Sequence, residues 1–305
     1  MSKAVVFLNM GAPRNLDEVE VFLKNMFNDK NIITVKSNLL RAFIAKSIVF
    51  FRKKEAKENY KKVGGKSPLV KHTKEFNKVA SELFKLPVTT IMRYTPPFAK
   101  DELKKLKKSG FTELIVIPLY PQYSTTTTKS SLEDLEFWLE KLEYQPELKV
   151  VESFYKEDFF LEAVVKGIKK TLAHHDSKDF DLIFSAHSLP KKIVQAGDPY
   201  QKQIEENVEL LKKRGLEFKA IHLAYQSKLG PVEWLEPSLE DKLKEIDNKN
   251  VIIYPLSFIL DNSETEFELS LEYKEIADEL GFENYLVVPC INSDEEFIKG
   301  ISKVF

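Results

Sequence analysis

Eight short runs of β-branched and apolar residues, separated by longer stretches of helical character, constrain this chain more than any other feature. They lie at 4–9, 88–93, 114–119, 149–153, 182–185, 219–224, 251–257 and 285–289. Strands that alternate with helices need crossover connections, and crossovers give parallel sheets covered on both faces. Four runs precede residue 154 and four follow residue 180, so the spacing predicts an α/β chain of two doubly wound, Rossmann-like halves on parallel four-stranded sheets. The first half is expected at 1–154 and the second at 155–285. At 305 residues and 43% hydrophobic content the chain is long enough to bury two cores. A long insertion, 10–87, interrupts the first half, and its apolar, basic stretch 39–54 is a candidate lip over a pocket.

Charge and cysteine usage narrow the function classes. Lys and Arg number 46 against 47 acidic residues, a net charge of −1, which gives no field for wrapping nucleic acid. Cys290 is the only cysteine, which excludes an internal disulfide, a cysteine-rich zinc site and a cysteine-ligated iron–sulfur cluster. A reducing cytoplasm fits. The apolar stretch 4–8 after Met1 is too short for a signal peptide and reads as a strand. The segment 39–51 is interrupted by Arg41 and Lys46 and falls short of the ~20 residues that span a bilayer.

Open parallel sheets bind ligands beyond the carboxyl ends of their strands. The residues there are Asn9-Met10-Gly11, Arg93-Tyr94, Tyr120 to Ser124, Ser185-Ala186-His187-Ser188, Tyr225 to Lys228 and Asp261 to Glu264. His187 follows an apolar run on the linker Ser185-Ala186 and is expected to face a cleft, where a neutral imidazole binds a borderline metal or accepts a proton. A hydrogen-bonded structural histidine explains the same spacing. His72, His174 and His175 sit among charged residues, and His222 lies inside a strand. Glu264, Glu268 and Glu272 are spaced by four at a helix start. Each α-helical step of four advances about 400°, so the row drifts, whereas a π-turn would stack the carboxylates in a line that passes cations or protons. A solvated acidic face is the plain alternative. Gly64-Gly65-Lys66-Ser67 lacks the spacing of a P-loop, and no G-x-G-x-x-G follows any strand, which disfavours nucleotide and dinucleotide enzymes.

Eight segments occur in order along the chain: LNMGAP at 8–13, GGKSPL at 64–69, MRY at 92–94, PLYPQYSTTTT at 118–128, SAHSLP at 185–190, GDPY at 197–200, QSKLGPVEWLEP at 226–237 and FILDNSETEFELSLEY at 258–273. Together they resemble the ferrochelatases over essentially the whole length. The resemblance implies a chelatase-like fold with a porphyrin held edge-in between the halves, and a last segment, 286–305, whose carboxy-terminal helix returns to the first half. It assigns metal insertion to His187 and Glu264, with Glu268 and Glu272 continuing an acidic line. Porphyrin contacts fall to Met10, Arg52, Tyr60, Ser67, Arg93, Tyr94 and Tyr123, and Arg52 and Lys228 suit the propionates. The implied activity is insertion of ferrous iron into protoporphyrin, the last step of haem synthesis, with a coproporphyrin ferrochelatase or another tetrapyrrole chelatase as the enzyme alternative and a non-catalytic porphyrin or haem carrier as another class. Ferrous iron is then a substrate, and no cofactor is expected. The chain has Asn262 where relatives often carry His. A monomer in the cytoplasm is the default, and the 39–51 segment with Arg52, Lys53 and Lys54 suits peripheral contact with the inner face of the membrane.

Overall fold

The first apolar run forms β1, Lys3–Asn9, whose residues Ala4, Val5, Val6, Phe7 and Leu8 are all buried. A strand apolar on both faces belongs at the centre of a parallel sheet. In the computed structural model, which describes residues 2–228 and 230–305, β1 lies between β2 (Val88–Met92) and β3 (Glu113–Pro118), and β4 (Glu147–Val150) completes the order β2-β1-β3-β4. Met1 and Leu229, the latter inside the 226–237 motif, lie outside the described residues. The second sheet repeats the plan, with β5 (Asp181–His187) between β6 (Ala220–Gln226) and β7 (Asn250–Pro255), β8 (Asn284–Val287) outermost, and every pair parallel. Leu103, Leu106, Leu135 and Leu139 bury helix faces against Val6, Leu8 and Val116 in the first sheet. Leu239, Leu243 and Leu269 do the same against Ile183, Val251 and Ile253 in the second.

Two compact units result, one of residues up to Ser153 with Ile301–Phe305, the other Phe154–Gly300. The segment expected at 286–305 is therefore divided. β8 extends the ladder of β7, and Phe297 on helix Glu295–Ile301 packs on Phe154 and Phe159, which keeps these residues in the second unit. The return to the first unit is confined to Ile301–Phe305, where the Phe305 ring meets Phe84 edge-on at 5.3 Å.

The strands differ in extent from their apolar runs, most instructively at β4, β5 and β6. β5 continues through Ala186 to His187, because β6 also runs on to Gln226 and pairs with it there. His187 is thus the last residue of the strand and not a residue on a linker. β4 starts at Glu147, before its apolar run, since Glu113 of β3 pairs with Glu147. The insertion between β1 and β2 folds as α1 (Glu18–Phe27), α2 (Asn38–Lys62) and α3 (Leu69–Phe84). The Gly64-Gly65 pair ends α2: both residues have positive φ, 87° and 78°, and the Gly65 N–H donates to the Tyr60 carbonyl at 2.7 Å. The threonine stretch of the 118–128 motif forms a π-helical turn, Thr125–Lys129, capped by the Ser124 hydroxyl on the Thr126 N–H.

Candidate active site

Three neighbouring strand ends of the second unit supply one cluster. His187 closes β5, Ser227 follows β6, and Glu264 opens a π-helix, Glu264–Glu272, nine residues after β7 ends at Pro255. Because β5 lies between β6 and β7, Glu264 reaches the imidazole from beyond β7 while Ser227, after β6, reaches Glu264. His187 Nδ1 is 2.9 Å from Glu264 Oε2. The Ser227 hydroxyl lies 3.0 Å from that same oxygen and 2.5 Å from Glu268 Oε2, while the Ser227 N–H donates to Glu268 Oε1 at 2.7 Å. Ser227 holds this double contact in a left-handed conformation, φ 67°, which is unfavourable for a side chain with a Cβ and recurs at functional sites. The helix expected to carry the acidic row is widened as the stacked arrangement requires, and Glu264 and Glu268 meet through Ser227. Glu272, at its far end, is exposed.

The charges of the cluster oppose one another. Burial pushes Glu268 up, the Glu264 carboxylate adds to this, and the group titrates at about 7. Burial would also raise Glu264, but the charge and hydrogen bond of His187, helped by Ser227, hold it below its ordinary value. Burial would lower His187, and the same carboxylate outweighs it, so the imidazole is raised. An ionised Glu264 only accepts hydrogen bonds, so Nδ1 of a neutral His187 carries the proton and Nε2 presents the lone pair. Asn262, where an imidazole was the family expectation, has a structural part: its Oδ1 accepts from the Glu264 N–H at 2.8 Å and its own N–H donates to Thr265 Oγ1. It fixes the turn that presents Glu264.

His187 and Glu264 offer a metal two donors, and among the described residues no group of three or more His, Cys, Asp or Glu side chains is placed to hold an ion. Two protein ligands leave positions open to water or an incoming ligand, which suits an ion in transit better than a closed structural site.

The residues assigned to porphyrin contact are spread over both units. In the first, Met10 follows β1, the Tyr94 N–H donates to the Met10 carbonyl, and the Ser67 N–H donates to the Pro13 carbonyl. Arg93 and Tyr94 converge on Asp29, which is 4% exposed: its Oδ2 accepts from Arg93 Nη2 at 2.9 Å, from the Tyr94 hydroxyl at 3.0 Å and from the Ser130 hydroxyl. Arg93 Nη1 also lies 3.6 Å from Asp134, whose carboxyl burial pushes up. Tyr94 has no exposed surface, so it supports this cluster from within and does not offer a face to a ligand. All three Arg93 guanidinium nitrogens face partners in this cluster, since Nε also donates to the Ser130 carbonyl at 3.2 Å and to its hydroxyl at 2.9 Å. Tyr60 is buried near the end of α2, Tyr123 is half-buried after β3, and Arg52 is a half-buried partner of Glu55 at 3.9 Å. Lys228 belongs to the second unit, 3.9 Å from Asp241. The strand histidine His222 bonds Asp181 at 2.8 Å, as a satisfied structural residue does.

Sequence reasoning passed over Ser227, Asp29, Tyr200 and Ser257. Ser227 and Tyr200 stand inside quoted motifs, and Ser257 in the seventh apolar run, so their positions were visible but their bonds were not. Asp29 lies in the insertion with no periodic or motif signal.

Comparison with known proteins follows the same lines. A sequence model of the ferrochelatase family matches residues 2–305. Ferrochelatase from Sulfurimonas denitrificans is 48% identical over 312 residues, covering 99% of this chain and 98% of the relative. Ferrochelatase from Wolinella succinogenes is 44% identical over 311 residues, covering 100% and 98%. Among solved structures, SirB from Bacillus subtilis with Fe3+ superposes with a TM-score of 0.60 at 11% identity, covering 100% of this chain and 96% of that one. CbiX, described as the terminal enzyme of sirohaem biosynthesis in denitrifying bacteria, gives 0.56 at 11%, covering all of both chains. The two structures share the fold, and the full-length sequence identities go further: the chain belongs to the ferrochelatase family of metal-inserting lyases.

Proposed function

We propose that the porphyrin this enzyme metallates is protoporphyrin, with ferrous iron as co-substrate, and that His187 and Glu264 carry the reaction. The observation behind this is the bonded array His187–Glu264–Ser227–Glu268 at adjacent strand ends. Insertion exchanges one ferrous ion for two pyrrole protons. The lone pair on His187 Nε2 accepts one, and the resulting imidazolium is stabilised by Glu264 at Nδ1; the second proton follows by the same route once the first has passed along the acidic row to solvent. Through Ser227 the proton has a route to Glu268, which titrates near neutrality and so both accepts and releases it at working pH. Before it takes a proton, the same Nε2 lone pair is free to meet the incoming iron, with the Glu264 carboxylate beside the ring. Glu272, exposed at the end of the π-helix, continues the row towards solvent. Insertion is followed by absorbance under anaerobic conditions, with protoporphyrin and coproporphyrin as parallel substrates. The reading expects turnover of protoporphyrin that His187→Ala and Glu264→Gln abolish while both variants stay folded. Near-normal turnover in both would overturn the assignment, and a clear preference for coproporphyrin would overturn the substrate.

We also propose peripheral contact of α2 with an anionic bilayer. No helix of the described residues is long and apolar enough to cross a membrane. Yet Leu39 is 87% exposed and Phe51 78%, with Leu40, Phe43 and Phe50 beside them. Lys46, Lys53 and Lys54 flank this face, the pattern of a helix lying in an interface. Flotation with phosphatidylglycerol vesicles is expected to carry wild type upward and to leave Phe50→Ser/Phe51→Ser behind. Wild type that stays wholly in solution refutes the contact.

A further inference from the structure

The backbone of His187 is held in a way that the ladders do not explain. In a parallel sheet the N–H and C=O of one residue point to the same neighbour, and alternate residues point to opposite neighbours. Ser185 faces β7, where its carbonyl accepts from the Leu256 N–H, and Ser188 faces β6, where its N–H donates to the Gln226 carbonyl. His187 therefore faces β7. But β7 ends at Pro255 and turns, with the Phe258 N–H bonded back to the Pro255 carbonyl. Two hydroxyls stand where the ladder would have continued. The His187 N–H donates to Ser257 Oγ at 3.1 Å, and the Tyr200 hydroxyl donates to the His187 carbonyl at 2.9 Å. The two hydroxyl oxygens are 2.6 Å apart. Tyr200 has one hydrogen and spends it on the carbonyl, so Ser257 must donate to Tyr200. The bonds then form a closed ring of one sense, from His187 N–H to Ser257, to Tyr200, to His187 C=O, with each member strengthening the next. Tyr200 is only 6% exposed, so water does not replace it freely.

We propose that Tyr200 and Ser257 are positioning residues for metal insertion, clasping the main chain of His187 so that its imidazole meets both Glu264 and the substrate. The proposal rests on the assignment of His187 to the reacting site. Neither hydroxyl touches substrate in this role, so their loss lowers kcat and leaves the KM for porphyrin within about twofold. Tyr200→Phe and Ser257→Ala are each expected to lower kcat about tenfold, the effect of misplacing a group held by one hydrogen bond. Because the ring fails as a unit, the double variant loses little more than either single, where independent roles would multiply to about a hundredfold. Ser257→Thr keeps a hydroxyl at the same carbon and restores at least half the activity lost in Ser257→Ala. Thermal melts accompany each assay, and Ser257→Thr supplies the comparison if Tyr200→Phe does not fold. Full kcat in folded Tyr200→Phe, multiplicative losses, or a rise in KM at constant kcat each overturn the clasp. Retained activity in His187→Ala would instead sink the underlying assignment, so the two failures read differently.

Discussion

Replacing Glu268 by Gln should make the protein more stable and less active, with a gain in stability that grows with pH. Held by burial and by Glu264, the carboxyl titrates at about 7 against an ordinary 4.5, which corresponds to about 3 kcal/mol. The sign follows from proton counting. Between these two values the native chain keeps a proton that the unfolded chain has released, so stability is lost as pH rises through the window and stays lost above it. Glutamine cannot ionise and does not incur that loss. It also reproduces the protonated carboxyl: its oxygen accepts from the Ser227 N–H, and its amide donates to the Ser227 hydroxyl, which is then free to donate to Glu264. The expected advantage of the variant is under ~1 kcal/mol near pH 5 and about 3 kcal/mol near pH 8, apart from a constant offset of the substitution itself. Urea denaturation of both proteins at the two pH values, read by circular dichroism, gives the difference directly. An advantage that does not change with pH would refute the placement of the raised titration at Glu268. Metal insertion should fall alongside, because an amide accepts no proton, and a more stable but slower enzyme is the pattern of a strained functional site.

The first unit carries its own test in Asp29. Asp29→Ala leaves Arg93, Tyr94 and Ser130 without their shared acceptor and is expected to cost about 3 kcal/mol in urea denaturation, whereas Tyr94→Phe removes one bond and costs about 1 kcal/mol. Gly11→Ala is expected to destabilise by about 2 kcal/mol or more and to weaken porphyrin binding in a fluorescence titration, since Gly11 has φ 84° and a Cβ there would stand 2.3 Å from Thr95 Oγ1. Asn262→Ala removes the acceptor of the Glu264 N–H and should cost about 1 kcal/mol of stability while lowering kcat; Asn262→Asp, which keeps the acceptor, should recover most of the stability.

What the sequence discloses here divides along the range of the interaction. Strand count, parallel sense and the two-sheet plan follow from local apolar runs and from the crossovers that separate them, and all eight strands lie at those runs. Extents are less local. His187 belongs to β5 only because Gln226, some forty residues later, continues β6 beside it, so a reading of residues 182–190 alone places a linker there. The site shows the same division. His187 and the glutamates carry chemistry in their residue types and are visible without coordinates, and so is the spacing by four through which a π-helix brings Glu264 and Glu268 together. The hydroxyls that connect or brace them, Ser227, Tyr200 and Ser257, are ordinary residues whose roles arise only where three chain segments meet. Ser257 illustrates the limit. Its neighbour Pro255 ends β7, and the termination of that strand leaves the N–H of His187 without a ladder partner and gives a serine side chain its place. No feature of residues 251–258 by themselves contains that requirement, because the group in need of a partner lies seventy residues away.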